Sequence, residues 1–599
     1  MNSEKGQTLI TVLMVSLIFT VLGLTIVAAS INSNQRTNVR IEDIELTAEA
    51  NKKLNEGIAE FIRVASKIEL KDHELYSGTF DSNNFDSIIE KLAEQHINVK
   101  DISKSEEYKI QTTKYFTRIF EFSYLSKNDD AAFAKQITRK VFLSPTPSFL
   151  KYAIGSGPDG TIDLLGASEI DGDLFSGSLN TKNITTFVDV NGILKEKDTL
   201  YPRIYGNIYL KNTFNGSDSF PTTIDQLKEV FDEKSNLTIT KDTSEFIEVD
   251  FENTMAQLFN KLSYGFTDTM FESKADVHSS LESFLRKCAN RIRTPNIDIE
   301  PTISGTCSNE IDLLYFDLDK GNDYFDILDN KIKSSSKIPR TYVYANAIGN
   351  SQLEEPSTSN YRPLYIKEGS LNMHEDSWLI VHGDLFIIPQ NRTIELDGNI
   401  IVTGNLYIEG NDDEWNKSED DNIEVNSTIY VLGETEITNT NIKGLNDKQL
   451  VLISKGDLQI NRINEFKNLP EELIEVEKLD DLKETKGLGI LDAYFYTQKR
   501  AELYGVGSLF LIKGGLFAKE HLTVNAIRQN EINKESDKDN KIDLNQSIDS
   551  VAYQRRSDQK SRFQVLQDLT VLTDQIDSLP KTNSYQIYLN EPIIINVSD

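Results

Sequence analysis

The sequence predicts a mainly β protein. A long N-terminal α-helix leads into a small α+β head, followed by a right-handed β-solenoid interrupted by a helical insertion. Three observations predict this. Residues 9–29 hold no charge over 21 positions, and apolar residues at helical spacing follow them. A short unit, Gly-[Asp/Asn]-[Leu/Ile]-x-apolar, recurs between Gly172 and Gly514. Pro145 and Pro147 stand where the first texture gives way to the second, and two prolines so close break regular strand pairing.

The apolar run comes first. Leu9, Ile10, Leu13, Leu17, Phe19, Leu22, Leu24 and Val27 lie on a stretch ~30 Å long as a helix, the thickness of a bilayer's hydrocarbon. The rest of the chain is polar. With a net charge of −31 and a mean hydropathy of −0.39, it reads as an acidic body on one membrane anchor. Such a charge opposes phosphate-backbone binding, so no nucleic-acid contact is expected over most of the surface.

A secretory signal peptide would place its cleavage site at Val27 and Ala29, but its apolar core spans only about 7–15 residues. A plain single-span anchor fits the length and leaves the leader unexplained. The leader itself is Glu4-Lys5-Gly6, followed by Gln7-Thr8-Leu9-Ile10, and it resembles the class III leader of type IV pilins. The resemblance implies cleavage after Gly6 by a prepilin peptidase, Gln7 as the new amino terminus, and a retained membrane helix. It also implies other pilin-like subunits as partners through that helix. The residue after the cut is usually Phe and is Gln7 here; the fifth is usually Glu and is Thr11 here. Those departures point to a minor, tip-type component.

Beyond the span, Ile41, Ile44, Ala48, Leu54, Ile58, Phe61, Ala65 and Ile68 are mostly three or four apart, as one helix face requires. With a leader over 1–6, the helix is expected over 7–70, ending near Lys67–Leu70. Residues 71–150 read as the head: a helix over Phe85–Ile97, strand texture over Tyr108–Leu125, and a strand Ala134–Leu143 that pairs back antiparallel.

The repeat unit is clearest at Gly206, Gly383, Gly398, Gly404 and Gly456, with looser copies at Gly172, Gly433 and Gly514. Steps of 21, 29 and 23 residues from Gly383 to Gly456 suit solenoid rungs. Leu385, Ile387, Ile400, Val402, Leu406 and Ile408 would then stack as an inner column. Glycine allows the corners, and Asp or Asn tolerates left-handed backbone there. An antiparallel sandwich with Gly-Asn turns is the alternative. First rungs are expected over 151–215, a mainly helical insertion over 216–340, and the main solenoid over 341–530 with a helix near 469–486. A polar loop covers 531–560, and strands over 561–599 cap the open end.

Sites for chemistry are sparse. Cys288 and Cys307 are 19 apart, compatible with a bridge or with two buried thiols. Neither a Cys-x-x-Cys nor a paired-histidine spacing occurs, and His374 and His382 read as ordinary histidines. The acidic runs Asp317–Asp323, Asn411–Asn422 and Asp537–Asp543 lack an EF-hand pattern and read as solvated loops. Neither a catalytic residue nor a cofactor nor a metal site is expected.

The stretches from Tyr152 to Phe175 and from Tyr504 to Lys519 resemble the strand repeats of large minor pilins and PilX-like pilus-assembly proteins of Gram-positive bacteria. The resemblance implies a single-pass membrane protein with an extracellular bulk domain. It would serve assembly or adhesion and present a solenoid surface to a surface or glycan ligand. Two other classes stay open: a membrane-tethered β-helix enzyme acting on polysaccharide, and a bactofilin-like scaffold.

Overall fold

The computed structural model describes residues 4–68, 85–110, 116–127, 134–188, 194–242, 303–308, 311–316 and 341–346. It also describes most of 361–410, 421–461, 490–528 and 561–597, with scattered positions between 246 and 258 and between 328 and 333. The chain forms two compact units. One is Met1–Pro145 with Asn583–Asp599; the other is Thr146–Thr582.

In the first unit a single helix runs from Glu4 to Ala65, 62 residues and ~93 Å. Its buried stripe is Leu46, Ala50, Leu54, Ile58, Phe61 and Ala65, a nearly regular four-residue step. Ile41, Ile44 and Ala48, expected on that face, are exposed instead. Ile44 and Ala48 each lie two residues from Leu46, almost half a turn around the helix. The stripe packs on a short helix, Asp86–Glu94, and on an antiparallel sheet. The expected helix over Phe85–Ile97 is shorter than the apolar pattern suggested. His96 takes φ 62° and turns the chain into a strand, Ile97–Asp101, which pairs with Arg118–Ser126. Arg118–Ser126 pairs in turn with Ala134–Ser144.

The sheet is completed from the far end of the sequence. Gln586–Leu589 pairs with Val141–Ser144, and Ile593–Val597 pairs with Ala134–Thr138, both antiparallel. The strands expected to cap the solenoid therefore belong to the head. Between them Asn590 accepts the Lys140 amide on Oδ1 at 2.6 Å, and its carbonyl accepts Arg139 Nε at 2.7 Å. Phe61, Phe85, Phe120 and Phe122 fill the core with centroids 5.0–5.5 Å apart, edge to face for the most part.

The second unit is a β-solenoid of three-strand rungs, and its parallel in-register pairing excludes the antiparallel sandwich. Trp378–His382, Leu385–Ile387 and Thr393–Asp397 make one rung. The next rung lays Leu406 on Leu385, Ile408 on Ile387, Ile400 on Leu379 and Val402 on Val381. All of these side chains are buried, so the inner column expected from the repeat is present.

The repeat unit serves two corners. Gly172, Gly206, Gly398 and Gly514 precede one face of the triangle with φ of 125–151°, where a side chain would be strained. Gly404, Gly433 and Gly456 precede another face without that φ, for a different reason. Each donates its N–H to the previous glycine's carbonyl at 2.9–3.0 Å, so the backbones touch. A Cβ on Gly404 would lie 2.7 Å from the Gly383 carbonyl carbon. The following Asp or Asn acts chiefly as an acceptor for the next rung. Asp384 Oδ1 takes the Asn405 amide at 2.7 Å, and Asn405 Oδ1 takes the Glu434 amide at 2.8 Å.

Rung order departs from sequence order. From Leu364 to Val565 each rung stacks on its predecessor, but the last does not end the stack. Leu516–Ala518 pairs with Ile154–Ser156, His521–Ala526 with Thr161–Gly166, and Gln564–Leu566 with Glu169–Asp171, all parallel. The first rungs in sequence thus continue the solenoid beyond the last. Within 216–340 the described residues include strands beside a short helix. Asn236–Lys241 extends one end as a strand on Tyr205–Leu210, beside a short helix Ile224–Lys228. Ile303–Ser308 and Ile311–Phe316 form a hairpin that extends the other end through Thr341–Asn346. Phe231 joins the core at one end, Leu328 and Ile332 at the other. The helices expected over 277–293 and 469–486 and the loop over 531–560 lie outside the described residues.

Candidate functional site

The exposed half of the N-terminal helix is the most unusual surface among the described residues. Val12–Ile31 has a mean hydropathy of 2.6, none of it is buried, and it is long and apolar enough to cross a membrane. Leu13, Leu17, Phe19, Leu22, Leu24 and Val27 are each 51–69% exposed. The two threonines inside the stretch turn their hydroxyls inward: Thr20 donates to the Ser16 carbonyl and Thr25 to the Val21 carbonyl, both at 2.8 Å. That removes their need for water, as a hydrocarbon environment requires. Gly6, Gln7, Leu9 and Ile10 lie on the same continuous helix.

Where burial starts, charge starts too. Asp43 pairs with Lys135 at 2.6 Å, fixing the helix to the start of strand Ala134–Ser144 just before Leu46. Further along, Glu60 accepts Lys91 Nζ at 2.5 Å and Gln95 Nε2 at 3.3 Å. The hydrogen bond from Lys91 holds the Glu60 carboxyl below its ordinary range. On the sheet, Lys140 Nζ donates to Glu107 at 2.8 Å, which lowers that carboxyl in the same way.

The solenoid contributes a second surface. Tyr365, Phe386 and Tyr407 stand in register on the outside of one face, centroids 4.9 and 4.5 Å apart and planes within 21°. Lys367 lies 5.2 Å from the Tyr365 centroid. The ring faces are spent on one another, so the column offers rims, not a flat stacking platform. On another face, along the rungs of Tyr496, Phe517 and Phe175, the buried rings of Phe149, Tyr152, Phe175, Tyr496 and Phe517 gather with the half-buried Phe246, which is stacked 4.5 Å from Phe175.

Sequence reasoning missed a buried charge cluster. Arg203 Nε donates to Asp232 at 3.0 Å, Arg203 lies 3.6 Å from Glu169, and Arg528 lies 3.2 Å from the other Asp232 oxygen. Burial pushes the Arg528 guanidinium down to about 10, helped by the neighbouring Arg203. No repeat or spacing signals these four residues, because rungs remote in sequence bring them together. His382 is buried, with Nδ1 3.0 Å from Thr403 Oγ1. Cys307 lies on the strand Ile303–Ser308, whereas Cys288 and His374 lie outside the described residues. Among the described residues no group of His, Cys, Asp or Glu is arranged to hold a metal.

No protein-family model matches the chain, and no characterised protein matches it. A solved structure that it matches is the competence-associated pilin ComZ from Thermus thermophilus. The match has 10% identity, covers 82% of each chain and gives a TM-score of 0.19, too low to support any argument about this chain.

Proposed function

We propose that the chain is a membrane-anchored structural subunit of a type IV pilus-like fibre, a minor tip-type pilin or pseudopilin with assembly or adhesion as its work. One observation carries the reading. A single helix, Glu4–Ala65, is apolar and exposed over Val12–Ile31, and its buried stripe on an antiparallel sheet begins at Leu46. A helix so divided needs lipid, or the helices of other subunits, around its first half. The Gly6-Gln7 junction is the proposed cleavage site, prepilin peptidase and pilin-like subunits are the proposed partners, and the acidic solenoid is the part displayed outside the cell. This role requires no catalysis.

The experiment is N-terminal sequencing of the chain from membranes of cells that carry a prepilin peptidase. The mature protein is expected to begin at Gln7. Gly6→Trp is expected to leave the full leader in place, visible as a slower band. A start at Met1 in the unaltered protein, or at Ser30, would overturn the pilin reading.

A further inference from the structure

The contact between the rung 514–567 and the rung 154–171 differs from the others in the stack. From Leu364 to Val565 the chain steps directly from each rung to its neighbour, so the connecting segment resists their separation. At this seam the two rungs are neighbours in space, while the chain between them travels around the rest of the solenoid. Within the solenoid no connecting segment joins these two rungs directly.

The seam's chemistry differs as well. Along the central rungs the inner contacts are Leu385 on Leu406, Ile400 on Ile429 and Val402 on Val431. Across the seam Leu516 on Ile154, Leu522 on Ile162 and Val524 on Leu164 continue that apolar column, so the difference lies in the polar groups beside it. Buried polar groups gather here. Ser168 Oγ, the Asn525 amide nitrogen, the Gln564 amide oxygen and the three guanidinium nitrogens of Arg528 are shielded and form no hydrogen bond in the protein. Arg528 has its 3.2 Å ion pair with Asp232 alone. A shielded guanidinium with unmet donors favours any state that lets water reach it.

We propose that this seam is a clasp: the joint at which the solenoid opens while its other rungs stay paired. What holds it shut is specific. The Gly157 amide donates to the Lys519 carbonyl at 3.0 Å, Thr161 to Glu520 at 3.1 Å and Ala167 to Ala526 at 2.9 Å. His521 lies 3.1 Å from Asp163. The Gln567 amide spans the joint, donating to the Lys151 carbonyl at 2.6 Å and accepting the Asp173 amide at 3.3 Å.

Native-state hydrogen exchange read by mass spectrometry on the full chain tests the clasp. Segments 154–166, 516–526 and 563–567 are expected to exchange together, at least tenfold faster than 399–408 and 429–437. Arg528→Leu, which removes the buried charge, is expected to slow the seam at least threefold and leave the central rungs unchanged. A second variant guards against misfolding of the first. Thr161 and His521 are register partners, so a Thr161→Cys/His521→Cys pair, once oxidised, is expected to bring seam exchange down to that of the central rungs. Equal protection across the whole stack would overturn the proposal. So would seam exchange that is the same in the oxidised and reduced double-cysteine variant.

Discussion

Two stretches of this molecule build parallel or antiparallel pairs from opposite kinds of sequence information. Between Gly383 and Asn461 each strand pairs with a partner 19 to 29 residues away, and every rung repeats its neighbour's chemistry. At the head's sheet edge and at the solenoid seam the partners come from stretches of chain far apart in sequence. Arg139 holds Asn590, Gln567 holds Lys151, and His521 holds Asp163. Repetition encodes a pair by likeness, apolar on apolar and glycine on glycine. Remote pairs carry in addition single matched polar contacts, which give no periodic signal.

The sharpest way to break that contrast is to remove the remote partner altogether. Ending the chain at Thr582 takes away the two C-terminal strands that pair with Ala134–Ser144, leaving Arg118–Ser126 as its neighbour, and with them the buried rings of Tyr585 and Tyr588. Losing one buried aromatic side chain costs about 3–5 kcal/mol, so losing both exhausts the stability of a small domain. The head's unfolding transition is expected to disappear from calorimetry while the solenoid's persists. If both transitions persist, the C-terminal strands are ornament and the comparison fails.

Within the repeating stretch the largest single-residue effect belongs to a corner. Gly404→Val places a branched side chain where the Gly383 carbonyl carbon already lies 2.7 Å from a Cβ position, and backbone on both sides cannot yield. About 3 kcal/mol or more of destabilisation is expected from urea midpoints. Leu406→Ala, which empties an inner position one step further on, falls in the range of about 2–5 kcal/mol and gives the scale for comparison.

The same contrast explains what could be read from sequence. The mainly β class, the apolar helix, the inner column from Leu385 to Ile408 and the glycine corners were legible, because each rests on period or local sterics. The helix stripe was half legible. Leu54, Ile58, Phe61 and Ala65 are buried, but the pattern also recruited Ile41 and Ile44, which face away from the head. Hydrophobicity at loose helical spacing does not separate a face that meets the sheet from one left for lipid or another subunit. The seam was not legible. Leu516 and Ile154 each announce a strand, yet neither announces the other, and the Arg203, Asp232 and Arg528 cluster exists only after the rungs have met. The helix was read through to Ile97, the first residue of strand Ile97–Asp101, because only the backbone turn at His96 marks the break.

The smallest expected effect sits where the long helix meets its nearest neighbour in the head. Glu60 is a helix residue that takes hydrogen bonds from Lys91 and Gln95, a pairing that spans only 31 residues for Lys91 and sits at the rim. Its carboxyl titrates below the ordinary value of 4.5 in the folded protein, chiefly because of the Lys91 hydrogen bond. The sign follows from proton binding: the unfolded chain takes up this proton at higher pH than the folded chain does. The contact's contribution is therefore fully present above pH 4.5 and drains away as pH falls through the lower folded value. Glu60→Gln is expected to shift the head's acid-unfolding midpoint slightly towards higher pH while leaving the solenoid's transition in place. An identical acid limb in both proteins would mean that solvent screening cancels the pair. The head would then be held by its buried stripe and its remote strands alone.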